Sequence, residues 1–216
     1  MATDRHTLRQ EIANSVTHGI GTALSVAGLT LLVVLASLRG SARHVVSVAV
    51  YGTTLVLLYL ASTLYHAIQH DGAKRVLKIL DHAAIFLLIA GTYTPFTLVS
   101  LRGPWGWSLF GAVWGLAAVG IVFKLFFTGR YEGFSTAVYL LMGWIIAVAL
   151  KPLAMALPTG GIVLLLLGGV AYSAGVIFYV QKRPYAHAVW HLFVIAGSLC
   201  HFFSILLYVL PRTAAG

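Results

Sequence analysis

Charged side chains are scarce in this chain. Among its 216 residues, 14 are Lys or Arg and 5 are Asp or Glu, whereas 60% are hydrophobic. Soluble domains carry about 25% charged residues, so a soluble globular protein is excluded. Cysteine is nearly absent as well: Cys200 stands alone, which excludes a disulfide within the chain. The class that fits this composition is an integral membrane protein.

Long polar stretches are also missing, because apolar segments fill most of the chain. Each segment is close to the roughly 20 residues that an α-helix needs to cross the hydrocarbon. There are seven: residues 15–38, 44–69, 79–101, 105–127, 133–156, 160–181 and 187–210. Transmembrane β-strands would be short and alternating, unlike these unbroken runs. We therefore predict an all-α integral membrane protein, a single domain over residues 1–216. It forms a bundle of seven transmembrane helices, and residues 1–14 form a short cytoplasmic segment.

The basic residues between the segments indicate the orientation. If the N-terminus is cytoplasmic, the basic residues on that side are Arg5, Arg9, Lys74, Arg75, Lys78, Lys124, Arg130, Lys182 and Arg183. Those on the other side are Arg39, Arg43, Arg102, Lys151 and Arg212. Positive charge concentrates on the cytoplasmic side, so we predict the N-terminus inside and the C-terminus outside. The charges form no single basic face, so the expected partners are membrane lipids and not nucleic acid.

With this topology, the rare ionisable residues of the apolar segments meet at one depth. His66 lies at the cytoplasmic end of the second segment, and Asp81 begins the third. The stretch HAVWH begins the seventh segment and contains His187 and His191. Four residues of helix rotate through about 400°, so these two histidines share one face. Ser62 precedes His66 by one helical turn and can point at the same place.

Three imidazoles beside a carboxylate suit Zn²⁺, which at catalytic sites commonly keeps three protein ligands and a water. We predict that His66, His187 and His191 bind the metal. Asp81 would hold the water or accept its proton, and Ser62 would help to stabilise an oxyanion. HAVWH has no glutamate, so it is not the HExxH helix of metalloproteases. The alternative is hydrogen-bonded interior histidines, but unpaired polar groups are costly in lipid, and convergence from three segments favours the metal.

Other histidines have weaker assignments. His201 lies about 15 Å of helix rise beyond His191, too deep to bind the same ion, and we expect a polar contact inside the bundle. His82 is turned about 100° from its neighbour Asp81 and is expected in the surroundings of the site or at the interface. His18, with Glu11 and Asn14 just before it, marks the cytoplasmic start of the first helix, and it either orients the metal ligands or caps the helix at the interface.

Two backbone patterns predict packing features. Thr92–Pro95 joins a helix-breaking proline to hydroxyls that can bind the freed carbonyls, which predicts a kink in the third helix. Small residues let membrane helices approach closely, so most of the following glycines are expected at close helix contacts: Gly111, Gly115, Gly168, Gly169 and Gly175.

Four fragments together resemble a known family. They are EIANSVTHGIG, STLYHA, LDHAAIFLLIAGTYTPF and HAVWHLFVIAGSLCHF. This set resembles the haemolysin III proteins, the bacterial branch of the progestin and adipoQ receptor family. The resemblance implies seven helices in the bacterial inner membrane, a cytoplasmic N-terminus and an intramembrane zinc near the cytoplasmic face. It implies His66, His187 and His191 as ligands, and it matches Ser62 and Asp81 to the family's serine and aspartate.

The resemblance extends to a possible reaction. Alkaline ceramidases, in the wider superfamily, have a similar serine, aspartate and three histidines that support zinc-dependent amide hydrolysis. We therefore predict zinc-dependent hydrolysis of a lipid amide or ester bond. The alternative is a non-enzymatic, receptor-like or regulatory protein of membrane homeostasis with a structural zinc. A pore-forming haemolysin is disfavoured, because the sequence has neither a ring of charges nor a long amphipathic insertion segment.

Overall fold

A computed structural model describes the backbone of residues 2–211 and the side chains from Thr7 onward. Within these residues there are seven helices long and apolar enough to cross a membrane, and no strand. They are α1 (Ala2–Arg39), α2 (Ala42–Ala67), α3 (Asp71–Leu101), α4 (Gly103–Phe127), α5 (Glu132–Ala156), α6 (Thr159–Tyr179) and α7 (Ala186–Val209). The predicted all-helical bundle of seven spans is confirmed. The orientation of its termini in the membrane stays a prediction.

Two helices begin earlier than hydropathy predicted. α1 begins at Ala2 instead of residue 15, and α3 begins at Asp71 instead of residue 79. A hydropathy pattern ends where the apolar run ends, but helical hydrogen bonding continues into a polar flank. The two extensions are joined by an ion pair of 2.9 Å between Lys74 Nζ and Glu11 Oε2. The sequence suggested that Asp81 begins α3, but Asp81 lies ten residues inside this helix.

The proline of α3 changes the type of helix. The α-helix runs to Pro95 and continues as a π-helix over Phe96–Leu101. Threonine hydroxyls on both sides of the proline bind carbonyls of the turn before it. Thr94 Oγ1 donates to Ala90 O at 3.0 Å, and Thr97 Oγ1 donates to Tyr93 O at 2.9 Å. The predicted interruption therefore takes the form of a wider helical turn immediately after the proline.

Helix packing leaves an internal cavity beside α5. α1 packs along α2, α2 along α3 and α6 along α7, and α7 returns to α1. α5 touches its neighbours much less, and it is irregular, with 3₁₀ turns at Ile145–Ala149. The resulting cavity has a volume of about 150 Å³ and lies between α3, α5, α6 and α7. Asp81, His18 and His201 are among the residues that line the cavity. His201 lies ten residues along α7 from the ligand candidate His191.

Of the five glycines, Gly168 and Gly175 have the predicted packing role, and Gly169 faces Trp144 of α5, where an added Cβ would make an ordinary contact at 3.5 Å. A Cβ at Gly168 would collide with the ring of His201, and one at Gly175 would lie 2.8 Å from Phe193 Cβ, so both allow α6 to approach α7. The prediction is wrong for Gly111 and Gly115, where an added Cβ would meet nothing within 4 Å. These two lie on a face of α4 that no other helix covers.

Gly91→Ala is expected to destabilise the bundle. The added Cβ would collide with the Thr54 side chain, whose branch point is rigid, so α2 and α3 would have to move apart. Overpacking of this kind costs about 1–3 kcal/mol. Thermal unfolding of the purified variant should show a lower midpoint than the wild type. Gly111→Ala is the matched control, since its Cβ meets open space and its midpoint should be unchanged or raised. Equal midpoints for the two variants would contradict this packing.

Candidate metal centre

Three histidines from two helices converge at the end of the bundle that holds the N-terminus. His66 lies in the last turn of α2, and His187 and His191 lie in the first two turns of α7. One nitrogen of each ring lies within 4.8 Å of a nitrogen of the other two. The ring centroids are 4.7 to 5.2 Å apart. His66 and His191 are buried and His187 is partly buried. The predicted ligands therefore lie close enough together to bind one ion.

Hydrogen bonds from α1 fix which nitrogen of two rings is free. His66 Nδ1 lies 3.0 Å from Glu11 Oε2, and a carboxylate only accepts, so Nδ1 donates. His191 Nδ1 donates to the carbonyl of Asn14 at 3.2 Å. It also lies 3.1 Å from Thr17 Oγ1, which itself donates to helix carbonyls. In a neutral imidazole with Nδ1 protonated, Nε2 has the lone pair, which is the form that binds metals.

The free nitrogens match what a metal requires. Among the side chains from Thr7 to Pro211, none forms a hydrogen bond to Nε2 of His66, His187 or His191, although all three atoms are buried. Buried polar atoms are almost always paired, so three unpaired nitrogens in one cluster of rings indicate a common partner. A carboxylate or carbonyl behind each ligating imidazole is the usual arrangement around bound metals. The residues present therefore fit a divalent metal held by nitrogen.

Asp81 and Ser62 lie next to this cluster. Ser62 of α2, one turn before His66, lies beside the Asp81 carboxylate of α3. Both side chains are buried. Asp81 also lines the cavity, whereas Ser62 does not. Ser62 and Asp81 are therefore close to each other, as predicted, and Asp81 faces the cavity, while their roles stay a prediction.

The position of His18 favours the first of the two roles that the sequence left open, orientation of the metal ligands. Its ring is buried and stacks on His191, with ring centroids 3.4 Å apart and an angle of 12° between the planes. Tyr59 packs edge-on against its other side at 4.9 Å. An interfacial cap is excluded by this burial. His18 instead fixes the plane of His191, and Glu11 and Asn14 provide the hydrogen bonds that orient the ligands.

The two remaining histidines lie outside the cluster. His82 Nδ1 donates to Lys78 O at 2.7 Å, and its Nε2 lies 3.5 Å from Glu132 Oε2, so it contacts α5 and not the three ligand candidates. His201 Nε2 donates to Leu165 O at 3.0 Å. The predicted polar contact of His201 inside the bundle is confirmed.

Sequence reasoning missed two groups of polar residues. Thr17 contacts His191, and only the spacing Glu11–Asn14–Thr17–His18 along one helix face could have indicated it. The sequence places Lys124 among the basic residues between the segments, but its side chain is fully buried, with Nζ 4.0 Å from Glu132 Oε2. The missed groups join α1 to α7 and α4 to α5, contacts that hydropathy does not encode.

Glu11→Gln is expected to weaken metal binding about 10–100-fold, the usual effect of removing a partner behind a ligand. The amide loses the negative charge that holds Nδ1–H of His66. Titration of the metal-free protein with Zn²⁺ in competition with a chelator measures the change. Lys74→Gln is the control, because it removes the other partner of Glu11 and leaves His66 intact. An unchanged affinity in Glu11→Gln, or an equal loss in both variants, would show that Glu11 does not orient the ligand.

Comparison with known proteins agrees with this architecture. Residues 6–202 match the family described as Haemolysin-III related. The chain is 53% identical over 208 residues to Hemolysin-3 of Bacillus cereus, covering 96% of this chain and 95% of that protein. It is 51% identical over 203 residues to the Hemolysin-3 homolog of Bacillus subtilis (strain 168), covering 94% and 95%. A distant similarity, 26% over 210 residues, covers 94% of this chain and 86% of the human Monocyte to macrophage differentiation factor, of the progestin and adipoQ receptor family. The chain therefore belongs to the haemolysin-III-related family, as its motifs predicted.

Proposed function

We propose that this protein binds Zn²⁺ through His66, His187 and His191 and hydrolyses an amide or ester bond of a membrane lipid. The observation that carries the proposal is the set of three buried, unpaired Nε2 atoms in one histidine cluster. Asp81, which follows on α3, lines an apolar cavity, whereas the three histidines are not part of the cavity wall. Nitrogen ligands of this kind favour zinc among the abundant divalent ions. Three protein ligands leave a fourth position open, as catalytic zinc sites do.

The reaction requires a carboxylate that can move a proton. When bound, zinc polarises a carbonyl and makes a water more acidic. Asp81 is the carboxylate on the cavity wall, with Ser62 beside it. It accepts a proton from the attacking water and passes that proton to the leaving amine or alcohol. Glu11 and Asn14 keep His66 and His191 in orientation, so that the ligands do not rotate during turnover.

The cavity favours a lipid as substrate. Its walls are mostly apolar side chains of four helices, and polar groups are confined to a few positions. At the periphery of the bundle the cavity reaches the partly exposed Trp144. The indole of Trp144 on α5 donates to Ser173 Oγ on α6 at 2.9 Å. A chain of methylene groups can lie in such a space while its carbonyl faces Asp81. By the positive-inside rule, the reactive end is on the cytoplasmic side of the inner membrane.

A regulatory protein with a structural metal is the second candidate. It is favoured by the way in which the cluster connects distant parts of the chain: α1 contacts both His66 of α2 and His191 of α7. A metal there would join α2 to α7, with α1 held to both through its hydrogen bonds to His66 and His191, and would stabilise the folded bundle. In that case metal removal changes stability and abundance, with no bond broken.

The test is hydrolysis by the purified protein in lipid vesicles. Bacterial phospholipids and N-acyl amides are incubated with the zinc-loaded protein, with the chelated protein and with the chelated protein after Zn²⁺ is restored. We expect release of fatty acid from at least one lipid, lost on chelation and recovered with zinc. Absence of turnover across the panel with a zinc-loaded, folded protein rejects the hydrolase and leaves the structural metal.

A further inference from the structure

A group of basic residues lies at the end of the bundle opposite to the metal centre. An open pocket of about 580 Å³ is lined there by the connection between α1 and α2 and by the turn between α3 and α4. Three of its residues are arginines: Arg39 ends α1, Arg43 lies in the first turn of α2, and Arg102 lies between α3 and α4. All three are exposed. Neither the metal centre nor the proposed reaction uses this pocket.

These arginines have no anionic partner within the protein. Among the side chains from Thr7 to Pro211, the carboxylates belong to the half of the bundle that holds the metal centre: Glu11, Asp71, Asp81 and Glu132. Accordingly, no ion pair in this part of the chain includes an arginine. Arg102 Nε donates to Val99 O at 2.9 Å, and that bond occupies only one of the five N–H groups of the guanidinium.

A fourth side chain of the pocket, that of His44, also provides a donor. The backbone N–H of Ser41 donates to His44 Nδ1 at 3.1 Å. Because a backbone N–H can only donate, Nδ1 has the lone pair of the ring and Nε2 has the proton. The arginines and His44 therefore provide N–H donors, three of them on cationic groups. An occupant that matches them is an anion with several acceptor oxygens.

The pocket lies where the bundle meets the lipid headgroups. Trp105 and Trp107, at the start of α4, are exposed, and exposed tryptophans of membrane proteins are typical of the interface. Leu38 in the last turn of α1 and Val46 in the second turn of α2 are exposed as well, to 75% and 56%. Cations beside exposed apolar side chains fit a molecule that has both an anionic head and acyl chains.

We propose that this pocket binds the phosphate of an anionic phospholipid, in the leaflet opposite to the metal centre. Guanidinium groups bind phosphate through paired, parallel hydrogen bonds, and phosphate is the anion that the headgroup region provides. By the positive-inside rule this end lies outside, where basic residues are infrequent, and a bound anion offsets the repulsion among three of them. A zwitterionic lipid brings its own cation, which the arginines repel. This site requires neither zinc nor turnover.

Native mass spectrometry of the purified protein in a neutral detergent tests the site. The protein is titrated with phosphatidylglycerol and with phosphatidylcholine of the same acyl chains. We expect phosphatidylglycerol to bind about tenfold more tightly, roughly the value of one hydrogen bond to a charged group. An equal concentration of inorganic phosphate should not displace it, because phosphate alone has no acyl chains. Equal binding of the two lipids overturns the inference, and displacement by inorganic phosphate rejects a lipid as the occupant.

Substitution of Arg43 assigns the preference to the pocket. Arg43→Gln is expected to lower the affinity for phosphatidylglycerol about tenfold and to leave that for phosphatidylcholine unchanged. Lys151→Gln is the matched control, because it removes an exposed positive charge at the same end of the bundle but outside the pocket. It should keep the preference. An unchanged preference in Arg43→Gln, or an equal loss in both variants, overturns the assignment. Arg39→Gln replaces Arg43→Gln if that variant does not fold.

Discussion

Replacing His191 by alanine is expected to remove the bound metal and to lower the thermal stability of the bundle. His191 is fully buried, and its Nδ1 is held by α1, so its Nε2 is the best fixed of the three candidate ligand atoms. Removing a hydrogen-bond partner behind a ligand weakens metal binding about 10–100-fold, and removing the ligand itself should weaken zinc binding more. Metal analysis of the purified protein should therefore fall from about one zinc ion per chain, the content of a single three-ligand site, to nearly none.

The stability change has a magnitude that can be estimated. A ligand present at about 1,000 times its dissociation constant stabilises the folded state by about 4 kcal/mol, which is lost with the metal. For a chain of this length that corresponds to a midpoint lower by about 10 °C. His82→Ala is the control, since it removes a buried histidine at the same end of the bundle that contacts none of the ligand candidates. Full zinc content in His191→Ala would reject the metal centre.

The seven helices could be predicted because each depends on local composition. Runs of about 20 apolar residues have one stable form in lipid, and the short connections leave little choice of neighbour. The site was predictable for a related reason. Asp81, His187 and His191 lie in apolar segments, where ionisable side chains cost free energy and therefore indicate a functional site. The alternating direction of the helices brings them to one end of the bundle.

What could not be predicted depends on contacts between helices. The N-terminal stretch with Glu11 and Asn14 has the composition of a loop, yet it continues α1 because it contacts His66 and His191. α4, α5 and α6 are similarly apolar, so hydropathy does not reveal that α5 packs less closely and leaves a cavity. Lys124 reads as a loop cation, and only the position of Glu132 explains its burial. Packing decides such features, and packing is not a property of one segment.

Asp81→Asn separates catalysis from metal binding and has the largest expected effect on turnover. The amide keeps the size of the carboxylate beside Ser62, but it can no longer accept a proton. Loss of a general base lowers rates about 10²–10⁴-fold. Zinc content should stay near that of the wild type, because Asp81 is not among the residues that fit the metal directly. Fatty acid release by the zinc-loaded variant in lipid vesicles measures the loss.

Asp71→Asn is the matched control for this experiment. It makes the same substitution on the same helix, but Asp71 is exposed at the start of α3 and is remote from the cavity wall. Its turnover should equal that of the wild type. If Asp81→Asn keeps both zinc and full activity, the proton must go elsewhere, and Asp81 only supports Ser62. If it loses zinc together with activity, the carboxylate is part of the metal centre. Only loss of activity with zinc retained assigns the proton transfer to Asp81, because the metal and the fold are then unchanged.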